Sequence, residues 1–112
     1  LFLQKIRTVI DENIDDSELG ILQLCRAVGL SHTQVFRKMK ALTGEHPTGF
    51  IRKTRLHKAK DLLLNSDLNV SEIAYEVGFK SKSTFNSAFK KQVGETPTAY
   101  KKSFQYKKAA IE

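Results

Sequence analysis

Apolar residues recur along this chain at three- and four-residue intervals, with glycine or proline breaking the pattern at regular places. That spacing predicts helices, at roughly 2–14, 21–28, 32–43, 47–65, 70–77, 82–93 and 97–107. Alternation of Val, Ile and Thr that would mark a strand is missing, so the expected class is all-α with seven helices. The first helix should place Phe2, Ile6, Val9, Ile10 and Ile14 on one face. The fourth should turn Phe50, Ile51, Leu56, Ala59, Leu62 and Leu63 inward and keep Arg52, Lys53, Lys58 and Lys60 mostly outside.

The boundaries carry helix punctuation. Ser31 with Gln34, and Asn69 with Glu72, have the spacing of reciprocal N-terminal caps, and Leu68 and Ile73 flank the second as a hydrophobic staple. Gly20 and Ser81 fall at equivalent cap positions. Gly29, Gly44, Gly78 and Gly94 stand where helices should end, and His46-Pro47 and Thr96-Pro97 place proline at a first helical position.

The pattern occurs twice. Leu24-Cys25-Arg26-Ala27-Val28-Gly29-Leu30 lines up with Ile73-Ala74-Tyr75-Glu76-Val77-Gly78-Phe79 at an offset of 49. Val35, Met39 and the string Gly44-Glu45-His46-Pro47 line up with Phe85, Phe89 and Gly94-Glu95-Thr96-Pro97 at an offset of 50. One residue is therefore inserted in the second turn. Two copies are too few for a solenoid, so two subdomains are expected, at about 1–46 and 66–107, joined by a long helix over about 47–65, all within a single domain over 1–112.

In each copy a short helix, a glycine turn and a longer helix follow the helix-turn-helix plan, in which the first helix braces the second. The bracing contact needs apolar residues one turn apart: Val35 and Met39, then Phe85 and Phe89. Thr33, Gln34, Phe36, Arg37 and Lys40 are left facing out in the first copy, and Lys82, Ser83, Asn86, Ser87 and Lys90 in the second. Such side chains suit base edges in a major groove: Arg or Lys pairs with guanine, Asn or Gln with adenine, and an apolar group with the thymine methyl. Phe36 makes sense at an outward site if it packs on a thymine methyl or sugar, or is partly covered by neighbours. The base-contact candidates are Thr33, Gln34, Phe36, Arg37, Lys82, Ser83, Asn86 and Ser87. The phosphate-contact candidates are Ser31, His32, Lys40, Ser81, Thr84, Lys90 and Lys91. At about 1.5 Å per residue the linker helix is about 27 Å long, near the ~34 Å between successive major grooves on one DNA face.

Charge supports a polyanionic partner. The net charge is +7. It is −2 over residues 1–28, +6 over 29–65 and +3 over 66–112, so the basic surface begins only after Gly29 and the opening helix is not part of it. Excess positive charge attracts nucleic acid or anionic lipid without choosing between them; the outward faces choose nucleic acid.

The segment 73–79, with Ser83-Thr84-Phe85-Asn86, Ala88-Phe89-Lys90-Lys91, Gly94 and Thr96-Pro97-Thr98-Ala99-Tyr100, resembles the signature of the AraC/XylS family of bacterial transcription regulators. Arg55-Leu56, Ala59 and Leu62-Leu63 match its linker helix, and the likeness runs from about Leu19 to Lys102. The stretch from Phe36 to Gly44 is similar to the subgroup fused to two-component signalling proteins. The resemblance implies promoter DNA as partner, RNA polymerase as a second one, an upstream sensor or receiver domain in the same polypeptide, and a cytoplasmic setting. It also implies base reading from Thr33, Phe36, Arg37, Lys82, Ser83 and Ser87. Many members carry arginine where Ser87 stands; a short hydroxyl reaches less far, so base readout by the second unit is expected to be weaker or water-mediated.

Other functions lack a signal. No paired carboxylates, nucleophile–base set or glycine-rich phosphate loop marks an enzyme. His32, His46 and His57 lack ligand spacing, so neither metal nor cofactor is expected. Cys25, the counterpart of Ala74, is expected to be a small buried core residue. No apolar run is long enough to span a bilayer, and no membrane contact is expected. The opening Leu1 suggests a piece of a longer protein. The alternative is a helical protein-interaction module without specific DNA readout, which would show an exposed apolar groove in place of the cationic face.

Overall fold

The computed structural model describes residues 1–111, so the expected domain end at Glu112 lies outside the described residues. These residues form seven α-helices and no strand: α1 (Phe2–Glu12), α2 (Ile21–Val28), α3 (His32–Thr43), α4 (Pro47–Asn65), α5 (Val70–Glu76), α6 (Lys82–Val93) and α7 (Pro97–Ile111). They divide into two compact units, with the change falling inside α4 between Arg55 and Leu56.

In the first unit Ile6, Ile10, Ile14, Leu19, Leu24, Val35, Met39 and Ile51 form the core, with Phe2, Val9, Ile21, Cys25 and Phe50 against it. α1 ends at Glu12, two residues short of the expected boundary. Acidic residues disfavour the negative end of a helix dipole, and the Asn13 side chain donates to the Val9 carbonyl at 2.8 Å as the helix stops. Ile14 is still buried, from the turn beyond. Cys25 departs from expectation: it is half-buried at the rim of this core, while its counterpart Ala74 has no exposure. α2 buries only Leu24, whereas α5 buries both Ile73 and Ala74.

The second unit packs Leu56, Ala59, Leu63, Ile73, Ala74, Val77, Phe79, Phe85 and Phe89 together. Its aromatic rings run in series: Phe79 to Phe85 at 5.3 Å, Phe85 to Phe89 at 5.7 Å, and Phe89 edge-on to Tyr100 at 5.6 Å. Lys60, expected mostly outside, is half-buried, with its ammonium 5.9 Å from the Tyr100 ring centre. α7 extends four residues past the expected end, through Lys108-Ala109-Ala110-Ile111, where lysine and alanine are good helix formers.

The helix ends follow the punctuation. Ser31 and Gln34 exchange hydrogen bonds at 3.2 and 2.9 Å, and Asn69 and Glu72 at 2.9 and 3.0 Å. Ser81 accepts from the Thr84 amide at 3.1 Å, with no long side chain at position 84 to reciprocate. The turn glycines Gly29 and Gly78 take φ of 67° and 90°, a region that side chains with a Cβ disfavour. The inserted residue falls between Gly78 and Ser81.

Phe89→Ala should destabilise the second unit by about 3–5 kcal/mol, the usual cost of deleting a buried aromatic side chain. Tyr106→Ala, at a residue 81% exposed, should stay within about 0.5 kcal/mol. Chemical denaturation followed by circular dichroism compares the two; equal midpoints would mean that the assigned core is wrong.

Candidate nucleic-acid interface

The recognition face of α3 is set by what α3 buries. Val35 and Met39 have no solvent exposure. At about 100° of rotation per residue, Arg37 points almost directly away from that pair, with Thr33 and Lys40 on one side and Gln34 on the other. All four are exposed, as are Ser31 and His32 at the helix start. Phe36 lies on the flank of this face and keeps 39% of its surface exposed. Its ring stacks on His46, with centroids 4.4 Å apart and planes 20° from parallel.

Two of these side chains already have work within the helix. The Gln34 carbonyl oxygen accepts from the Ser31 amide, which ties that side chain to the cap of α3 and leaves its amino group uncommitted. The Lys40 ammonium donates to the Gly44 carbonyl at 3.0 Å and closes the end of α3.

α6 repeats the arrangement with different chemistry. Phe85 and Phe89 have no exposure, and Ser87 takes the place of Arg37 at the centre of the opposite face. Lys82, Ser83, Thr84, Lys90 and Lys91 are exposed. Asn86, the positional match of Phe36, is half-buried, and so is Ser81, whose hydroxyl lies 2.9 Å from that of Thr84. The first unit thus presents a guanidinium and a ring, and the second presents short hydroxyls bordered by lysines. Among the described residues no polar or charged residue is buried.

Two neighbouring features were not legible in the sequence. Glu45 pairs with Lys53 in the second turn of α4, and this contact holds its carboxyl below the ordinary glutamate range, with Lys40 and His46 adding to the effect. Gly49 leaves room for that carboxylate, since an added Cβ would come within 2.9 Å of it. Arg55 donates to the Asp16 carbonyl at 2.6 Å, and partial burial draws its guanidinium below the usual arginine value while the Asp16 charge opposes the shift.

The comparisons agree with this geometry. A family model described as a helix-turn-helix domain matches residues 24–103. The C-terminal domain of the two-component response regulator yesN from Fusobacterium nucleatum is 32% identical, with a TM-score of 0.78 over 86% of this chain and 93% of that one. This chain belongs to the AraC-type helix-turn-helix family of DNA-binding domains. The AraC-type domain is also 35% identical over 91% of its length to histidine kinase P4 of Formosa agariphila, of which it spans 7%. It spans about a third or less of the next curated relatives as well. The DNA-binding domain of the global transcriptional factor AdpA, solved in complex with a target DNA, shares the fold at 24% identity, with a TM-score of 0.86 over 95% of this chain and 94% of that one. The family is one of transcription-factor DNA-binding domains. No helix among the described residues of the AraC-type domain is long and apolar enough to cross a membrane.

The Glu45 carboxylate provides a local check on this surface. Followed by NMR, its titration midpoint should lie below that of an ordinary glutamate, and Lys53→Met should raise it. A depressed folded-state value means that the pair's contribution is present at neutral pH and is lost as pH falls through the midpoint. An unchanged midpoint in Lys53→Met would remove Lys53 as the cause.

Proposed function

We propose that this AraC-type domain is the output module of a larger signalling regulator and that it reads promoter DNA with α3 and α6, each in a major-groove segment. The observation that carries this is the outward face of α3, where Arg37 stands opposite the buried Val35–Met39 pair with Thr33 beside it. A guanidinium held there by a packed helix can pair in bidentate fashion with guanine. Thr33, the Gln34 amino group and Phe36 complete the base-reading set. In the second unit Lys82, Ser83, Asn86 and Ser87 read bases with shorter reach, so the first unit carries more of the sequence preference.

Ser31, His32, Lys40, Ser81, Thr84, Lys90 and Lys91 take the phosphates. Ser31 and Ser81 stand at helix N-termini, where the amide ends favour an anion, and the lysines contribute charge that carries no sequence information. That the two segments are successive grooves is the expectation from linker length. The likeness to a response-regulator domain and to part of a histidine kinase supports a sensor or receiver domain in the same polypeptide, RNA polymerase as a second partner, and action in the cytoplasm, where promoter DNA lies. A purely protein-binding module is disfavoured, because the faces opposite the buried pairs are polar and cationic.

Arg37→Ala should cost about 1–3 kcal/mol on a selected duplex and relax preference at one position. Lys91→Ala should weaken all duplexes alike and flatten the dependence of log affinity on log salt by about one unit. Site selection from a random duplex pool, followed by fluorescence-anisotropy titration over a salt series, measures both. The reading fails if no duplex is bound at low salt, or if Arg37→Ala changes neither affinity nor preference.

A further inference from the structure

We propose that His46, which lies outside the recognition helix, is a positioning residue that sets sequence preference in the first unit by holding the Phe36 ring against a thymine methyl. The inference rests on the DNA-reading assignment of α3 above and adds to it a residue and a target group.

Phe36 is an awkward side chain for a water-facing helix surface. It belongs to neither apolar core, and 39% of it is exposed. Left alone at the flank of α3, its ring would sample several orientations and would lose that freedom on meeting DNA. The structure supplies a second ring. His46 lies nearly parallel to Phe36 at 4.4 Å, against one face of the phenyl group, while 39% of the residue stays exposed. A stack of this kind is worth about two- to tenfold in an equilibrium constant.

The placement of His46 is itself determined. Gly44 ends α3 in the left-handed region at φ 77°, the His46 carbonyl accepts from the Phe50 amide at 2.9 Å as α4 begins, and Pro47 behind it is buried. The imidazole is therefore presented from a capped and anchored turn. By helical rotation Phe36 falls on the same side of α3 as Thr33 and Lys40, at the flank of the face centred on Arg37. An apolar plate at that place has one natural partner on a base-pair edge in the major groove, the C5 methyl of thymine.

The second unit shows the device to be optional. Asn86 stands where Phe36 does, and Thr96 where His46 does. The Thr96 hydroxyl accepts from the Ala99 amide at 3.1 Å and caps the next helix instead. Since threonine serves at this turn in one copy, His46 is not required for the turn to form, and its imidazole is free for another role.

The same comparison supplies a fold-preserving variant, His46→Thr. Wild type, His46→Thr, His46→Tyr and Phe36→Ala are titrated by fluorescence anisotropy against a duplex selected by the wild-type chain. A second set of duplexes carries deoxyuridine in place of each single thymine, which removes only the methyl group. Circular dichroism melts accompany each variant. One thymine should prove sensitive, with wild type binding the deoxyuridine duplex about fourfold more weakly, the usual effect of one buried methyl group. In His46→Thr and Phe36→Ala that ratio should fall to near one, and His46→Tyr, which can restack, should restore it. Loss of affinity by His46→Thr equally on thymine and deoxyuridine duplexes would make His46 a phosphate contact and overturn the proposal. So would a methyl sensitivity unchanged in His46→Thr, or the absence of any sensitive thymine while specific binding persists. Failure to bind any duplex would remove the DNA-reading assignment itself, a result distinct from these.

Discussion

Each recognition helix is held by two apolar side chains one turn apart: Val35 and Met39 on α3, Phe85 and Phe89 on α6, all four without solvent exposure. Burying such a pair fixes not only that a helix packs but how it is rotated about its own axis. With the rotation fixed, the opposite face is fixed as well, and Arg37 or Ser87 is turned to solvent without any further contact. The short brace helices, the left-handed glycine turns and the serine caps all serve this orientation. They bring a second helix close enough to close the core and leave its amino-terminal half uncovered.

The same constraint explains how two copies of one plan diverge. The interior pairs tolerate exchange of Val and Met for two phenylalanines, because the second unit repacks around a series of aromatic rings from Phe79 to Tyr100. The outward residues answer to no such requirement and have changed in chemical kind. A guanidinium and a ring stand in the first unit where a hydroxyl and a half-buried amide stand in the second. Core and surface can change separately here because they occupy opposite sides of one helix.

Several polar side chains near the outward faces are already engaged in holding the fold. Gln34 commits its oxygen to the cap of α3 and keeps its amino group. Lys40 closes the far end of the same helix. Glu45 engages Lys53 near the start of α4, which leaves that ammonium less available to another anion. Outward-facing charge counted from sequence therefore overstates what is free for a phosphate.

Helix number, the caps at Ser31, Asn69 and Ser81, the glycine turns and the two buried pairs were all legible in the sequence. They are local: a cap depends on residues three apart, a turn glycine on its own φ, and a buried pair on helical period. The end of α1 was less so, since Ile14 keeps the apolar period after the acidic turn has stopped the helix. Lys60 resting on Tyr100, the half-burial of Cys25, the Glu45–Lys53 pair and the Phe36–His46 stack were decided by tertiary structure alone. Each depends on where one helix surface meets another or meets a turn, a distance in space that the spacing of residues along one chain does not encode.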